Sequence, residues 1–158
     1  MPITITTWNV QNFTRSDQDF TNKLNFLVST LQVLGSDVIA LQEVLDLNAL
    51  QDLATRLGFQ HVAASPDGRN NRVAFLTRNA PVGHPQEIVQ WQIPPGVAVH
   101  DFDSNGAVKV VPQFSRPAFQ ITVAHNGEEI DVVTAHLKSK LLTFGGNFST
   151  TNESRSGK

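Results

Sequence analysis

Four consecutive apolar residues, Val38-Ile39-Ala40-Leu41, lead straight into Gln42-Glu43. A short, wholly apolar run suits a strand buried on both faces, because a strand with one face in water alternates instead. A carboxylate directly after such a run is costly unless it is paired, protonated or bound to a cation. Glu43 is therefore the residue that says most about this chain. Its bland reading, an exposed glutamate at a helix entry, weighs about as much until other residues are brought in.

The flanking pattern is a mixture of strands and helices. Ile3 to Val10 alternates β-branched and polar residues and predicts a first strand. Ser16-Asp17-Gln18-Asp19 offers N-cap and acidic first-turn chemistry. Phe20, Leu24, Leu27, Val28, Leu31 and Leu34 then form one stripe of an amphipathic helix, with Gly35 where a left-handed C-cap is wanted. Asp46 can cap a second helix through Leu47, Leu50, Leu53, Ala54 and Leu57, closed by Gly58. Strands are predicted over Phe59 to Ala63, over Arg72 to Arg78, and through Val89, Trp91 and Ile93. Phe119, Ile121 and Val123 form another, and Asn126-Gly127 offers a two-residue hairpin turn before a returning strand from Glu129 to Ala135. Residues 1–140 read as one folded region. Residues 141–158 read as a polar tail rich in Gly, Ser, Thr and Asn, like a loop cut in its middle.

Composition narrows the class further. With 158 residues, 40% apolar and 16% charged, the chain falls among globular proteins. Fourteen acidic against twelve basic residues give a net charge of −2, which argues against bulk electrostatic capture of nucleic acid but not against a local basic rim. The absence of cysteine excludes disulfides and thiolate metal sites. No apolar run approaches the roughly 20 residues needed to span a bilayer. The residues after Met1 show no leader pattern, so the chain as given reads as cytoplasmic, or as a mature or excised domain.

Four clusters sit at predicted strand ends: Thr7-Trp8-Asn9-Val10, Leu41-Gln42-Glu43-Val44, Phe114-Ser115-Arg116-Pro117 and Thr134-Ala135-His136-Leu137-Lys138-Ser139. Asn9 alone is ordinary turn chemistry. Paired with Glu43, it gives a carboxylate and an amide oxygen from adjacent strand ends, a set that can bind or position Mg²⁺. His136 alone is more often a hydrogen-bonded rim residue. With Lys138, Ser139 and Lys140 beside it, it suggests a cationic pocket for a phosphoryl group. Arg116 reads either as a surface residue or as a bidentate phosphate clamp. His61, His84, His100 and His125 show no metal-ligand spacing.

Taken in order, Thr7 to Phe13, Asp37 to Val44, Arg72 to Leu76, Ser115-Arg116-Pro117 and Thr134 to Ser139 resemble the endonuclease/exonuclease/phosphatase superfamily, the DNase I-like fold. The resemblance runs from Ile3 to Ser139. Each motif is weak alone, and five in order are specific. It implies an α/β four-layer sandwich, two mixed β-sheets flanked by helices, and metal-assisted attack of water on phosphorus. Glu43 would bind Mg²⁺ or Mn²⁺, and Asn9 would orient the metal site or scissile phosphate. Arg116, with Lys138, would hold a substrate phosphate, and His136 would stabilise the transition state.

Two departures qualify this picture. Asn71 stands where some nucleases of the family carry a carboxylate supporting the histidine. The family's Gly-Asp-x-Asn and Ser-Asp-His elements are absent, and no Asp or His follows Ser139. The expectation is an incomplete, truncated sandwich, inactive alone, whose exposed strand edges invite pairing with a second chain. The alternative is a non-catalytic fragment or binding module. The substrate is a phosphate ester, with nucleic acid, nucleotide, inositol phosphate and phospholipid all open. Asn9, Glu43 and His136 are expected to converge at one end of the sheets, with Glu43 the only carboxylate there.

Overall fold

A computed structural model describes residues 2–66, 71–90, 100–102, 107–110, 113–136, 142–144 and 148–150. In chain order the elements are β1 (Ile5–Phe13), α1 (Phe20–Leu34), β2 (Val38–Val44), α2 (Leu47–Leu57), β3 (His61–Ala64), β4 (Arg72–Thr77), β5 (Val82–Gln90), β6 (His100–Phe102), β7 (Val108–Val110), β8 (Gln113–His125), β9 (Glu128–Thr134), β10 (Leu142–Phe144) and β11 (Phe148–Thr150). The chain divides into two compact units, Met1–Ile88 with Ala118–His136, and Val89–Pro117 with Leu137–Lys158.

The first unit is built on a four-stranded mixed sheet in the order β1-β2-β4-β3. β1 and β2 run parallel, joined through α1, while β4 is antiparallel to both β2 and β3. β2 is buried on both faces, as its apolar run predicts, and the alternation along it feeds two separate cores. Ile39 and Leu41, with Ala74 and Leu76 of β4, pack under the apolar stripes of α1 and α2. Val38 and Ala40, with Val73 and Phe75, pack instead against Phe119, Ile121, Val123 and Val132 of β8 and β9. Phe75 and Phe119 stack across that second interface with ring centroids 6.0 Å apart. The described residues thus supply three layers: helices, mixed sheet, second sheet. The second sheet has the order β5-β8-β9.

Local chemistry explains most boundaries. Gly35 and Gly58 close the two helices at φ 61° and 73°, the left-handed values that a residue without Cβ adopts freely. Asp46 caps α2 by accepting from the Asn48 backbone N–H at 2.8 Å. The expected cap on α1 does not form. Asp19 holds the N-cap position without a side-chain cap bond, and its Oδ1 accepts from the Asn22 side-chain amide at 2.6 Å instead. No acidic residue lies in the first turn of α1. Asn126 and Gly127 take φ 53° and 86°, the doubly positive pair of a type I′ hairpin turn, and β8 and β9 pair from His125–Glu128 to Phe119–Thr134. β5 begins at Val82, ahead of the predicted Val89, whereas Trp91 and Ile93 lie outside the described residues.

The segment leaving β1 is fastened to α2. Arg15 grips Asp52 through Nε at 2.7 Å and Nη2 at 2.6 Å, and its backbone N–H donates to Asp46. The second unit holds two short antiparallel pairs, β6 with β7 and, within the tail, β10 with β11.

Two outcomes are expected from this packing. Phe75 is fully buried between the sheets, so Phe75→Ala should cost about 3–5 kcal/mol in urea denaturation. Asp52 is held below the usual carboxylate range by its hydrogen bond from Arg15. Because the folded value is depressed, the pair stabilises fully above the unfolded carboxylate pKa and is lost as pH falls through the folded one. The NMR titration of Asp52 should therefore have a lowered midpoint that rises in Arg15→Met. The stability effect should be small, since both side chains are a third to a half exposed.

Candidate active site

The register of β2 breaks immediately after Gln42. β1 and β2 stay in step from Ile5–Val38 to Asn9–Gln42 and resume only at Phe13–Val44, and the β2–β4 ladder shifts between Gln42 and Val44 as well. Glu43 is the residue squeezed out, at φ 63°. A left-handed backbone at a non-glycine residue costs about 1–3 kcal/mol and persists only where its surroundings hold it. A bulge of this kind re-aims a side chain, and here it turns the Glu43 carboxylate toward the end of β1. Gln11 and Asn12 opposite are also left-handed, at φ 48° and 52°.

Three groups meet that carboxylate, two of them as hydrogen-bond donors. Asn9 Nδ2 donates to Oε1 at 2.9 Å, the Asn12 backbone N–H donates to Oε2 at 3.2 Å, and His136 Nε2 stands 3.4 Å from Oε1. The Glu43 and His136 side chains are 20% and 13% exposed. Asn9 within β1, Glu43 within β2 and His136 just after β9 do converge. Asp37 and Asp46 do not join them: Asp37 accepts from the Thr4 backbone N–H, and Asp46 is occupied as the α2 cap.

The amide of Asn9 is oriented differently from the expected oxygen ligand. Its Oδ1 accepts from the Gln11 backbone N–H at 3.0 Å, which fixes the NH₂ end toward Glu43. Asn9 therefore presents its NH₂ end to the carboxylate and holds it in place. A carboxylate offers about four lone-pair sites, and the two hydrogen bonds from Asn9 and Asn12 leave room for a bond to a cation. That donor set fits Mg²⁺, which commonly takes one or two carboxylates and keeps several waters. Among the described residues, no group of three or more His, Cys, Asp or Glu could hold a metal.

Lys23 on α1 braces the C-terminal part of β1, donating to the Gln11 carbonyl and lying 3.7 Å from Asp17. Beside Asn9, Trp8 meets Phe26 edge to face, in a cavity of ≈ 360 Å³ that Gln11 and Lys23 also line. This cavity adjoins the site but does not contain Glu43 or His136. Arg116 is exposed on β8 and belongs to the second unit. Lys138 lies outside the described residues. The Asn12 N–H, Lys23 and Gln42 were not legible as site residues. The one sequence signal was Asn12 itself, since asparagine tolerates left-handed backbone better than most residues.

A model of the endonuclease/exonuclease/phosphatase family matches residues 6–146. The chain belongs to that family. Among solved structures it is similar to D. rerio TDP2 complexed with single strand DNA product, at TM-score 0.61 and 20% identity, covering 87% of this chain and 46% of that one. An endonuclease/exonuclease/phosphatase family protein from Leptotrichia buccalis gives TM-score 0.55 and 18% identity, covering 95% and 58%. Truncated Caenorhabditis elegans TDP2 gives 0.54 and 16%, covering 87% and 47%. At these identities the likeness shows the fold, which is DNase I-like. The chain spans about half the length of these structures. No curated protein matches the sequence. No helix among the described residues is long and apolar enough to cross a membrane.

The left-handed turn facing Glu43 can be tested through Asn12. Asn12→Gly should be close to neutral in denaturation experiments. Asn12→Val, which forces a β-branched side chain into the same φ, should cost about 1–2 kcal/mol.

Proposed function

We propose that this chain carries the metal-carboxylate side of a phosphoesterase site and that the protein's activity is metal-dependent hydrolysis of a phosphate ester. The observation that carries the reading is the convergence of Asn9, Glu43 and His136 on one carboxylate at the end of β1 and β2. Glu43 would hold the cation, Mg²⁺ or Mn²⁺, which when bound polarises a phosphoryl oxygen and offsets developing charge. Asn9 and the Asn12 N–H keep the carboxylate aimed. His136 Nε2, at 3.4 Å, is too far from Oε1 to be fully committed to it, so its N–H can pass to a phosphoryl oxygen as charge builds. Arg116 and Lys138 are proposed as phosphate contacts. DNA or another nucleic acid is the favoured class of ester, because a similar fold holds single-stranded DNA product in D. rerio TDP2.

Turnover needs a group that activates or aims water in addition to these donors, and removal of a general base costs about 10²–10⁴-fold. The chain offers no Asp or His after Ser139 for that task. We therefore propose that the chain alone is inactive or very slow, with the remaining groups supplied by further polypeptide or a second chain. The second reading, a module that binds phosphate esters without turning them over, rests on the same observation.

Calorimetric titration of the purified chain should show weak Mg²⁺ binding that is abolished in Glu43→Ala. A sub-micromolar affinity would mean that further ligands exist. With Mg²⁺ or Mn²⁺, plasmid DNA and a chromogenic phosphodiester should be hydrolysed far below family-like rates by a chain of monomeric mass. Robust hydrolysis by a monomer that Glu43→Ala abolishes would overturn the incomplete-site reading. Hydrolysis that survives Glu43→Ala would overturn the site itself.

A further inference from the structure

We propose that Gln42 is a positioning residue that holds Asn9, Glu43 and His136 in one constellation, an inference resting on the reading of those three as the site. Gln42 Nε2 lies 3.0 Å from Thr7 Oγ1 and 2.8 Å from Thr134 Oγ1, with the Ala40 carbonyl a longer third acceptor at 3.4 Å. A primary amide has two protons, and the two threonine hydroxyls accept them. Each strand joined in this way leads to one member of the site. Thr7 precedes Asn9 by two residues on β1, Gln42 directly precedes Glu43 on β2, and Thr134 ends β9 two residues before His136.

These spacings transmit position. Residues two apart on a strand face the same side, so a shift of Thr7 is a shift of Asn9. Two residues of chain span at most about 7 Å, so His136 is tethered closely to wherever Thr134 is fixed. The bulge at Glu43 begins at Gln42 itself. Apolar contact between the mixed sheet and β8–β9 is non-directional and by itself fixes alignment less sharply than a hydrogen bond. The Gln42–Thr134 bond is directional, and it ties β2 of one sheet to β9 of the other. Thr134 is buried, so its hydroxyl needs a partner, and Gln42 supplies it. Misplacement of a reacting group by about 1 Å can cost 10²-fold in rate, so a tie this close to the site matters beyond its own hydrogen bonds.

Asn9 Nδ2 and His136 Nε2 approach the same oxygen of Glu43. A nuclear Overhauser effect between the Asn9 amide protons and the His136 ring therefore reports the constellation without any metal or substrate. It should be present in the unmodified chain and in Thr134→Ser, which keeps the hydroxyl. It should be lost in Gln42→Met and in Thr134→Val, while the backbone resonances of Ile39 and Leu76 stay in place. Unchanged intensity in either of these variants overturns the proposal. Loss of the folded spectrum in both would make Gln42 a folding residue and overturn it as well. Added Mn²⁺ separates this outcome from the function reading. Paramagnetic broadening should reach Asn12, Asn9 and His136 in the unmodified chain, and should persist at Asn12 but weaken at His136 in Gln42→Met. No broadening in the unmodified chain would overturn the cation role of Glu43, while the Overhauser measurement would still decide the role of Gln42.

Discussion

A negative charge at the end of an apolar strand has to be neutralised by something, and in this protein that requirement organises one whole end of the molecule. The Glu43 carboxylate collects a side-chain amide and a backbone N–H from β1, and it meets an imidazole from the chain leaving β9. The first two come from the mixed sheet and the third from the strand pair β8–β9, so the full set forms only once both sheets are assembled. The strained backbone at Glu43 is tolerated for the same reason. The donors that hold it there are also what a phosphoryl oxygen would meet.

The supporting architecture makes one strand serve two cores at once. Ahead of the bulge, Ile39 and Leu41 of β2 face the helices while Val38 and Ala40 face β8 and β9, and beyond it Val44 returns to the helix side. Only at Gln42 does the even face turn polar, and there the hydroxyls of Thr7 and Thr134 receive it. The transition from core to chemistry therefore takes one residue. Lys23, the Arg15–Asp52 clamp and the α2 cap at Asp46 fasten the end of β1 and the segment leaving it from outside. Both sides of the site are thus tied to regular elements, as precise placement of reacting groups requires.

Much of this was legible in the sequence because it depends on local rules. The apolar run of β2, the stripes of α1 and α2, their closing glycines and the Asn126-Gly127 hairpin all follow from periodicity or turn chemistry. Asn9, Glu43 and His136 could be singled out because each lies at the end of a strand predicted from the sequence, although β1 and β2 run on past the first two. What escaped depends on partners distant in the chain. Asp19 has the right chemistry for a cap, but Asn22 occupies its oxygen. Glu43 has no intrinsic preference for a left-handed backbone, so the bulge is imposed by its donors. The Asn9 amide reads equally as oxygen or nitrogen donor until the Gln11 N–H takes the oxygen. Gln42 looks like a neutral spacer between an apolar run and a carboxylate, and acquires meaning only from Thr7 and Thr134.

The doubly buried run in β2 has a further consequence. Register in a sheet is ordinarily policed by solvent, because a one-residue slip turns apolar side chains outward. For Val38 to Leu41 that check fails, since either alignment leaves an apolar side chain on both faces. A slip becomes costly only at the polar end, where it would drive the Gln42 amide among the leucines beneath the helices and strip Glu43 of its donors. Proofreading of strand alignment thus falls to the same few side chains that build the site. In most enzymes, polar residues at the reaction centre lower stability and can be replaced by better packers. Here such replacements would remove the signal that distinguishes the native alignment from its nearest competitor. Sequences drifting from this one would then be held at Gln42 and Glu43 by foldability even after any selection on chemistry had lapsed.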